Sequence, residues 1–274
     1  MPEFVCIAVP HYIGQLIEGR TETDQIKASG FADEINAPWV DLNPDLDDAS
    51  DPVAAVNQAL VAVIQAHPDR IPIVFASDCL CALGIMKGLE PVKANPVPKP
   101  GLIWFDAHGD FNTPETTPSG FLGGMPLAML VGRGDLSTMK TLALDPMAEE
   151  DVILTDARDL DPLESAALQA SKVRVLLDVH DLLTADLPDK PLYMHLDMDI
   201  INSAELPGLA YPASDGPSTA EVDAALAHIT RARPTAALLL SLWSAAITAA
   251  PVDDARALAI TLRLARTFVA NCGG

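Results

Sequence analysis

The chain has 274 residues, of which 49% are hydrophobic and 20% charged, and 17 basic residues against 38 acidic ones leave a formal net charge of −21. The hydrophobic share excludes a disordered tail, and so acidic a surface repels phosphate backbones, which argues against nucleic-acid binding. No apolar run reaches the roughly 18 residues of a membrane span, the opening MPEFVCIAVP has no basic leader, and four cysteines at 6, 79, 81 and 272 make no disulfide framework; the expectation is a cytoplasmic protein with no membrane partner.

Taken in chain order, short apolar runs predict strands at residues 4–9, 71–76, 102–105, 152–154, 173–177, 192–196 and 236–242. Most are continuous rather than alternating, as in strands of a parallel sheet covered on both faces. Between them, residues 52–67 set Val53, Val56, Leu60, Val63 and Ile64 on one helical face. The Pro-rich stretch 90–100 reads as a loop. Ser218-Thr-Ala-Glu221 is a capping box opening a helix through His228. Residues 252–270 carry Asp253 and Asp254 in the first turn and Gly273 beyond the end, which punctuates a last helix. Strand and helix alternate over the whole length without an internal repeat, predicting one α/β domain over 1–274.

Ligands of open α/β sheets gather beyond the carboxyl ends of the strands, so the residues just after each run are the informative ones. They are Asp78 and Cys79, then Asp106, His108 and Asp110, then Asp156, Arg158, Asp159 and Asp161, and finally Asp197 and Asp199. Asp106-Ala-His108-Gly-Asp110 places three ligand-type side chains within five residues. The period-two spacing of Asp197-Met-Asp199 predicts both carboxylates on one strand face. Aspartates packed together repel one another unless cations neutralise them. Two divalent ions supply the charge that four aspartates need, and an oxygen-rich set with imidazole suits Mn²⁺. The plain alternative takes DAHGD as a helix N-cap and DMD as an exposed turn.

These residues carry a resemblance. Residues 106–120 (DAHGDFNTPETTPSG) and 196–199 (LDMD) resemble the two metal-binding signatures of the arginase, agmatinase and formimidoylglutamase family. Residues 75–84 (FASDCLCALG) resemble its first metal segment, usually Gly-Gly-Asp-His-Ser before an apolar helix, and 157–161 (ARDLD) the segment that carries a carboxylate for the substrate amine. The resemblance implies a three-layer α/β/α sandwich on a mostly parallel sheet. It also implies a metal-dependent hydrolase of linear amidines, with two Mn²⁺ ions per subunit and attack by a metal-bridging hydroxide. Carried over position by position, Asp106 and Asp197 bridge the ions, His108 and Asp199 complete one, and Asp110 completes the other. Cys79 stands where the family has its remaining histidine ligand. Asn112, Thr117 and Ser119 match the side chains that hold a substrate α-carboxylate in arginases, and Asp161 matches the carboxylate that receives the α-amino group. That grip implies a small-molecule guanidino amino acid as partner. The family's trimers and hexamers imply a homo-oligomer, with a monomer left open.

Three departures bear on substrate. A thiolate at Cys79 is softer than imidazole and weakens the preference for Mn²⁺; the alternative is a buried structural cysteine. Gly123 stands where arginases have a histidine proposed to shuttle protons, which leaves Asp110 as a candidate proton relay. No acid lies between Thr235 and Pro251, where the family pairs a glutamate with the guanidinium. With the amino-acid grip retained, these losses point to a less basic guanidino group. The expectation is Nω-hydroxy-L-arginine, cleaved to hydroxyurea and L-ornithine, and the resemblance implies a place in antibiotic (D-cycloserine) biosynthesis. An arginase or other ureohydrolase of a guanidino acid, and a catalytically silent relative, stay open. Among the remaining residues, His195 reads as a core histidine or a base beneath the metals, and His11 as a loop or pocket residue. His67, His180 and His228 read as solvated. Arg158 is expected in a salt bridge with Asp159 or a neighbour, Cys6 and Cys81 in the core, and Phe121 and Leu209 beside the pocket.

Overall fold

Continuous apolar runs become buried parallel strands in the computed structural model, which describes residues 2–19, 21–47, 49–90, 99–207, 209–242 and 253–273. In chain order the strands among these residues are β1 (Glu3–Val9), β2 (His11–Tyr12), β3 (Gln15–Leu16), β4 (Trp39–Asp41), β5 (Arg70–Ala76), β6 (Gly101–Asp106), β7 (Val152–Asp156), β8 (Arg174–Leu176), β9 (Leu192–Asp197) and β10 (Thr235–Ser241). Eight of them form one sheet in the order β4-β1-β5-β10-β9-β6-β7-β8. Every pairing in it is parallel. β2 and β3 make a separate antiparallel hairpin.

Alternate side chains of each strand feed two cores. Val5, Ile7, Val9, Val74, Trp104 and Tyr193 point to one face, packed against helices Pro52–Ala66 and Cys81–Gly88. Phe4, Cys6, Phe75, Phe105, Met194 and Leu196 point to the other, under helices Thr219–Ala232 and Asp254–Asn271. The architecture is therefore helix, sheet, helix in three layers, which is why the strand sequences show no alternation: both faces are dry. Cys6 and Cys81 lie in these cores.

The helices follow their local signals. Ser218 accepts from Glu221 N at 3.3 Å and donates its own N–H to Glu221 Oε2 at 2.7 Å, closing the capping box. That helix continues past His228 to Ala232 because Ile229, fully buried, extends its apolar face. Asp253 caps the last helix through Arg256 N, and residue 252 lies outside the described residues, as do 91–98 of the Pro-rich stretch. β4 had no sequence signal; its edge place is held by Trp39, whose indole stacks on Phe75 with centroids 5.8 Å apart. Among the described residues no helix is long and apolar enough to cross a membrane.

Candidate metal centre

The carboxyl ends of β5, β10, β9, β6 and β7 open into a cleft of about 260 Å³, lined by Asp78, Cys79, Asp106, His108, Asp110, Asp159, Asp161, Asp197 and Asp199. After β5 the chain turns at Ser77–Leu80. Asp78, buried there, accepts from Ile13 N at 2.6 Å and Leu80 N at 2.9 Å, and so anchors the β2–β3 hairpin beside the cleft. Burial pushes its carboxyl up to about 6.

β6 ends at Asp106, whose Oδ2 accepts from Trp104 Nε1 at 3.0 Å and Oδ1 from His108 N at 2.7 Å. The chain then bends through Asp110, held at φ +48 in the left-handed region. β9 ends at Asp197, but Asp199 is not its strand-face partner. Met198–Ile200 is a 3₁₀ turn in which Asp199 N donates to Asp197 Oδ1 at 3.0 Å. The expectation of two carboxylates in strand alternation is corrected: a short aspartate side chain competes for the backbone N–H two residues on, and bends the chain. DMD is a turn after all, yet a buried one, with Asp199 only 8% exposed.

The side chains converge. His108 Nδ1 lies 2.9 Å from Asp199 Oδ2 and 3.4 Å from Asp106 Oδ1. The Cys79 thiol donates to Asp197 Oδ2 at 2.9 Å and to Ser241 Oγ at 3.3 Å. Among the described residues, two groups have ligand atoms mutually within 4.8 Å: Asp106, His108 and Asp199, and Cys79, Asp106 and His195. Asp106 belongs to both. Burial pulls the His108 imidazole down, but hydrogen bonds to Asp106 and Asp199 and their charges hold it up, to about 12. Burial, then Asp106 and Asp197, push Asp110 far above the carboxylate range, and burial, then Asp197 and Asp106, do the same to Asp199. Burial and the charge of Asp106 raise Asp197 to about 6. Burial, then Asp197 and Asp110, drive the Cys79 thiol well up. Asp106 alone is lowered, because the hydrogen bond and charge of His108 outweigh its burial. Asp110 Oδ2 is buried without a partner. Carboxylates that repel one another in a buried site, one with an orphan oxygen, fit divalent cations.

His195 is fully buried, and desolvation takes it down to about 3, which keeps it neutral. Its ring lies parallel to the Trp104 indole, 3.4 Å between centroids and 3° between planes.

On the outer side of the cleft, Asn112 Nδ2 donates to Asp161 Oδ2 at 3.0 Å, and the Thr117 and Ser119 hydroxyls stand 3.4 Å apart. The structure thus brings all the residues singled out for substrate contact to one cavity. Phe121 and Leu209 line it as well. At Gly123 a Cβ would lie 2.5 Å from the Phe121 ring, so the aromatic ring fills the space of a side chain there. Several lining residues had escaped the sequence reading. Glu164 is one, although Asp161-Pro-Leu-Glu164 is a capping-box pattern; its carboxylate accepts from Asp161 N and from Phe111 N. Tyr12 and Tyr211 are others, with hydroxyls 3.1 Å apart, and Ser241 another. No local pattern marks these three. His11 is turned inward, 1% exposed, and its neighbour Tyr12 lines the cleft instead. Arg158 pairs with Asp156 rather than Asp159, and donates to the carbonyls of Asp199, Ile200, Ala213 and Ser214. It is a strut beneath the turn that carries Asp199. His180 is exposed, and His67 and His228 are half-buried. Residues 243–250 of the stretch lacking a glutamate lie outside the described residues.

Residues 17–241 match the model of the arginase family. Over 219 residues the chain is 31% identical to the N(omega)-hydroxy-L-arginine amidinohydrolase of Streptomyces lavendulae, covering 77% of this chain and 74% of that enzyme. It is 29% identical over 196 residues to the arginase of Bacillus caldovelox, covering 66% of this chain and 64% of that enzyme. The alignments therefore span about two thirds to three quarters of these relatives' own lengths. Among solved structures, the arginase of Bacillus subtilis superposes with a TM-score of 0.81 at 22% identity, covering 97% of this chain and 98% of that one.

Proposed function

The chain belongs to the arginase family, and from that premise we propose that it is a manganese-dependent amidinohydrolase of a guanidino amino acid, cleaving Nω-hydroxy-L-arginine to hydroxyurea and L-ornithine. The observation that carries the reading is the pairing of two ligand groups through Asp106 with an amino-acid grip on the opposite wall of one cleft. Cys79, Asp106, His108, Asp110, Asp197 and Asp199 would hold two Mn²⁺ ions. When bound, the pair supplies an activated water near neutral pH and positive charge against the developing negative charge of the transition state.

The chain's own groups do the rest. Asp161, oriented by Asn112, receives the substrate α-amino group, and Thr117 and Ser119 receive the α-carboxylate. Fixing that end aims the guanidino carbon at the inner aspartates, so orientation is settled before bond cleavage. Phe121 and Leu209 keep water from the flank of the guanidino group. Asp110, whose Oδ2 has no protein partner, takes up the proton released as water adds to the guanidino carbon and passes it to the departing ornithine nitrogen.

Substrate choice rests on what is missing. The Phe121 ring occupies the space beside Gly123, and no acid lies between Thr235 and Pro251 to pair with a full guanidinium charge. Both favour the less basic hydroxyguanidine, as does the Streptomyces lavendulae relative; a place in antibiotic biosynthesis belongs to the same proposal. The test is ornithine release by Mn²⁺-loaded protein from equal concentrations of L-arginine and Nω-hydroxy-L-arginine. A kcat/KM at least about tenfold higher for the hydroxylated substrate, ~1.4 kcal/mol at the transition state, is the expected result. A preference for L-arginine would make the protein an arginase. Turnover of neither, with metal bound, would overturn the substrate class.

A further inference from the structure

His195 has one ring nitrogen accounted for and one not. Its Nδ1 lies 3.3 Å from the Tyr193 hydroxyl, while Nε2 is buried with no hydrogen-bond partner. Leaving such a group unsatisfied forfeits its hydration with nothing in return, so a native structure keeps one where something else binds it. The ring has little freedom to turn away, being stacked in register against Trp104 of β6. A ligand atom of His195 lies within 4.8 Å of both the Cys79 sulfur and an Asp106 oxygen. A metal-ligating histidine commonly has its second nitrogen held by a hydrogen bond that fixes the tautomer; the Tyr193 hydroxyl stands in that place.

Resting on the dinuclear reading above, we infer that His195 is a metal ligand, and that Cys79, Asp106 and His195 hold the inner ion of the pair. The chain has lost a nitrogen donor at position 79 and regained one from the strand below. Thiolate, imidazole and carboxylate make a softer set than carboxylates with one imidazole, so this position takes Zn²⁺ or Co²⁺ more tightly than Mn²⁺.

NMR of the protein carrying isotope-labelled histidine and loaded with cadmium tests this with His195 itself left in place. Two cadmium resonances are expected, one coupled to a nitrogen of His108 and lost in His108→Ala, the other coupled to a nitrogen of His195. In direct titration, His195→Gln should weaken Zn²⁺ at one position by at least about tenfold and leave the other unchanged. Two bound cadmium ions with the His195 nitrogens unshifted would overturn the inference and leave the dinuclear centre standing. One ion coupled to His108 alone would also overturn it. Absence of any bound cadmium would bring down the inference and the proposed function together.

Discussion

Glu164→Gln tests how the substrate side of the cleft is held to the metal side. Glu164 is 3% exposed, and its two oxygens accept from Phe111 N at 2.8 Å and Asp161 N at 3.2 Å. One carboxylate thereby ties the loop bearing Asp110 and Asn112 to the helix cap bearing Asp161. Gly109 makes room for it, since a Cβ there would lie 2.5 Å from Glu164 Oε1. Glutamine keeps the shape but turns one acceptor into an NH₂ that faces a backbone N–H. One buried donor then loses its partner, at about 1–3 kcal/mol. Alanine strands both donors, at about 2–6 kcal/mol, a large part of the ~5–15 kcal/mol available to a typical fold. Urea unfolding of the glutamine variant should show a lower midpoint at unchanged slope. Because Asp161 is placed on the binding side, KM for the guanidino amino acid should rise by more than kcat falls. A variant with the wild-type midpoint and the wild-type KM would refute the reasoning that this carboxylate joins the two walls.

Gly123→His alone should gain no arginine hydrolysis, because its Cβ meets the Phe121 ring at 2.5 Å. Gly123→His with Phe121→Ala should release more ornithine from L-arginine than either single variant, and a more active Gly123→His would count against this steric account. Burial raises Asp78 to about 6, and burial with the charge of Asp106 raises Asp197 to about 6, against roughly 3.9 in the unfolded chain. The metal-free fold therefore holds more protons than the unfolded chain from about pH 4 to about pH 6, and its stability falls as pH rises through that window. Calorimetry should give a lower Tm at about pH 7.5 than at about pH 5 without metal, and Mn²⁺ should narrow the gap; a flat profile would contradict the crowding of these carboxylates. Arg158→Met leaves the buried Asp156 without its cation and should cost about 3–5 kcal/mol in denaturant melts, whereas a near-neutral result would mean the strut is dispensable.

What the sequence shows and what it hides divide along the distance over which each feature is specified. Residues 192–196 announce a strand because a segment covered on both faces must be apolar throughout. Asp106, His108 and Asp110 are legible because one loop carries all three. Glu164 reaches Phe111 N across 53 positions, and Tyr12 meets Tyr211 across 199, so neither contact has a local trace. β4 is three residues long, too brief for any periodicity, and depends on stacking against Phe75. Asp199 shows a local force prevailing over a regular pattern, since its backbone N–H donates to the Asp197 carboxylate and ends the strand. His195 is visible in the sequence as a histidine below Asp197, but only packing against Trp104 leaves its Nε2 without a partner.

The place of β10 in the sheet has a consequence for how the molecule comes into being. The strands β4, β1 and β5 end by residue 76, and β9, β6, β7 and β8 end by residue 197, yet no ladder joins the two sets until residues 235–241 pair with both β5 and β9. A nascent chain shorter than that presents two half-sheets with open edges, the kind of surface that invites pairing with other chains. Asp106, Asp110, Asp197 and Asp199 stand at the ends of β6 and β9, which pair directly, so the crowd of negative charge gathers within the second half, and Cys79 of the first half reaches it only as the last strand slides into the middle. Insertion of β10 joins Cys79 to the aspartates already gathered on β6 and β9, and a divalent ion present during synthesis would act as a clasp on that final step.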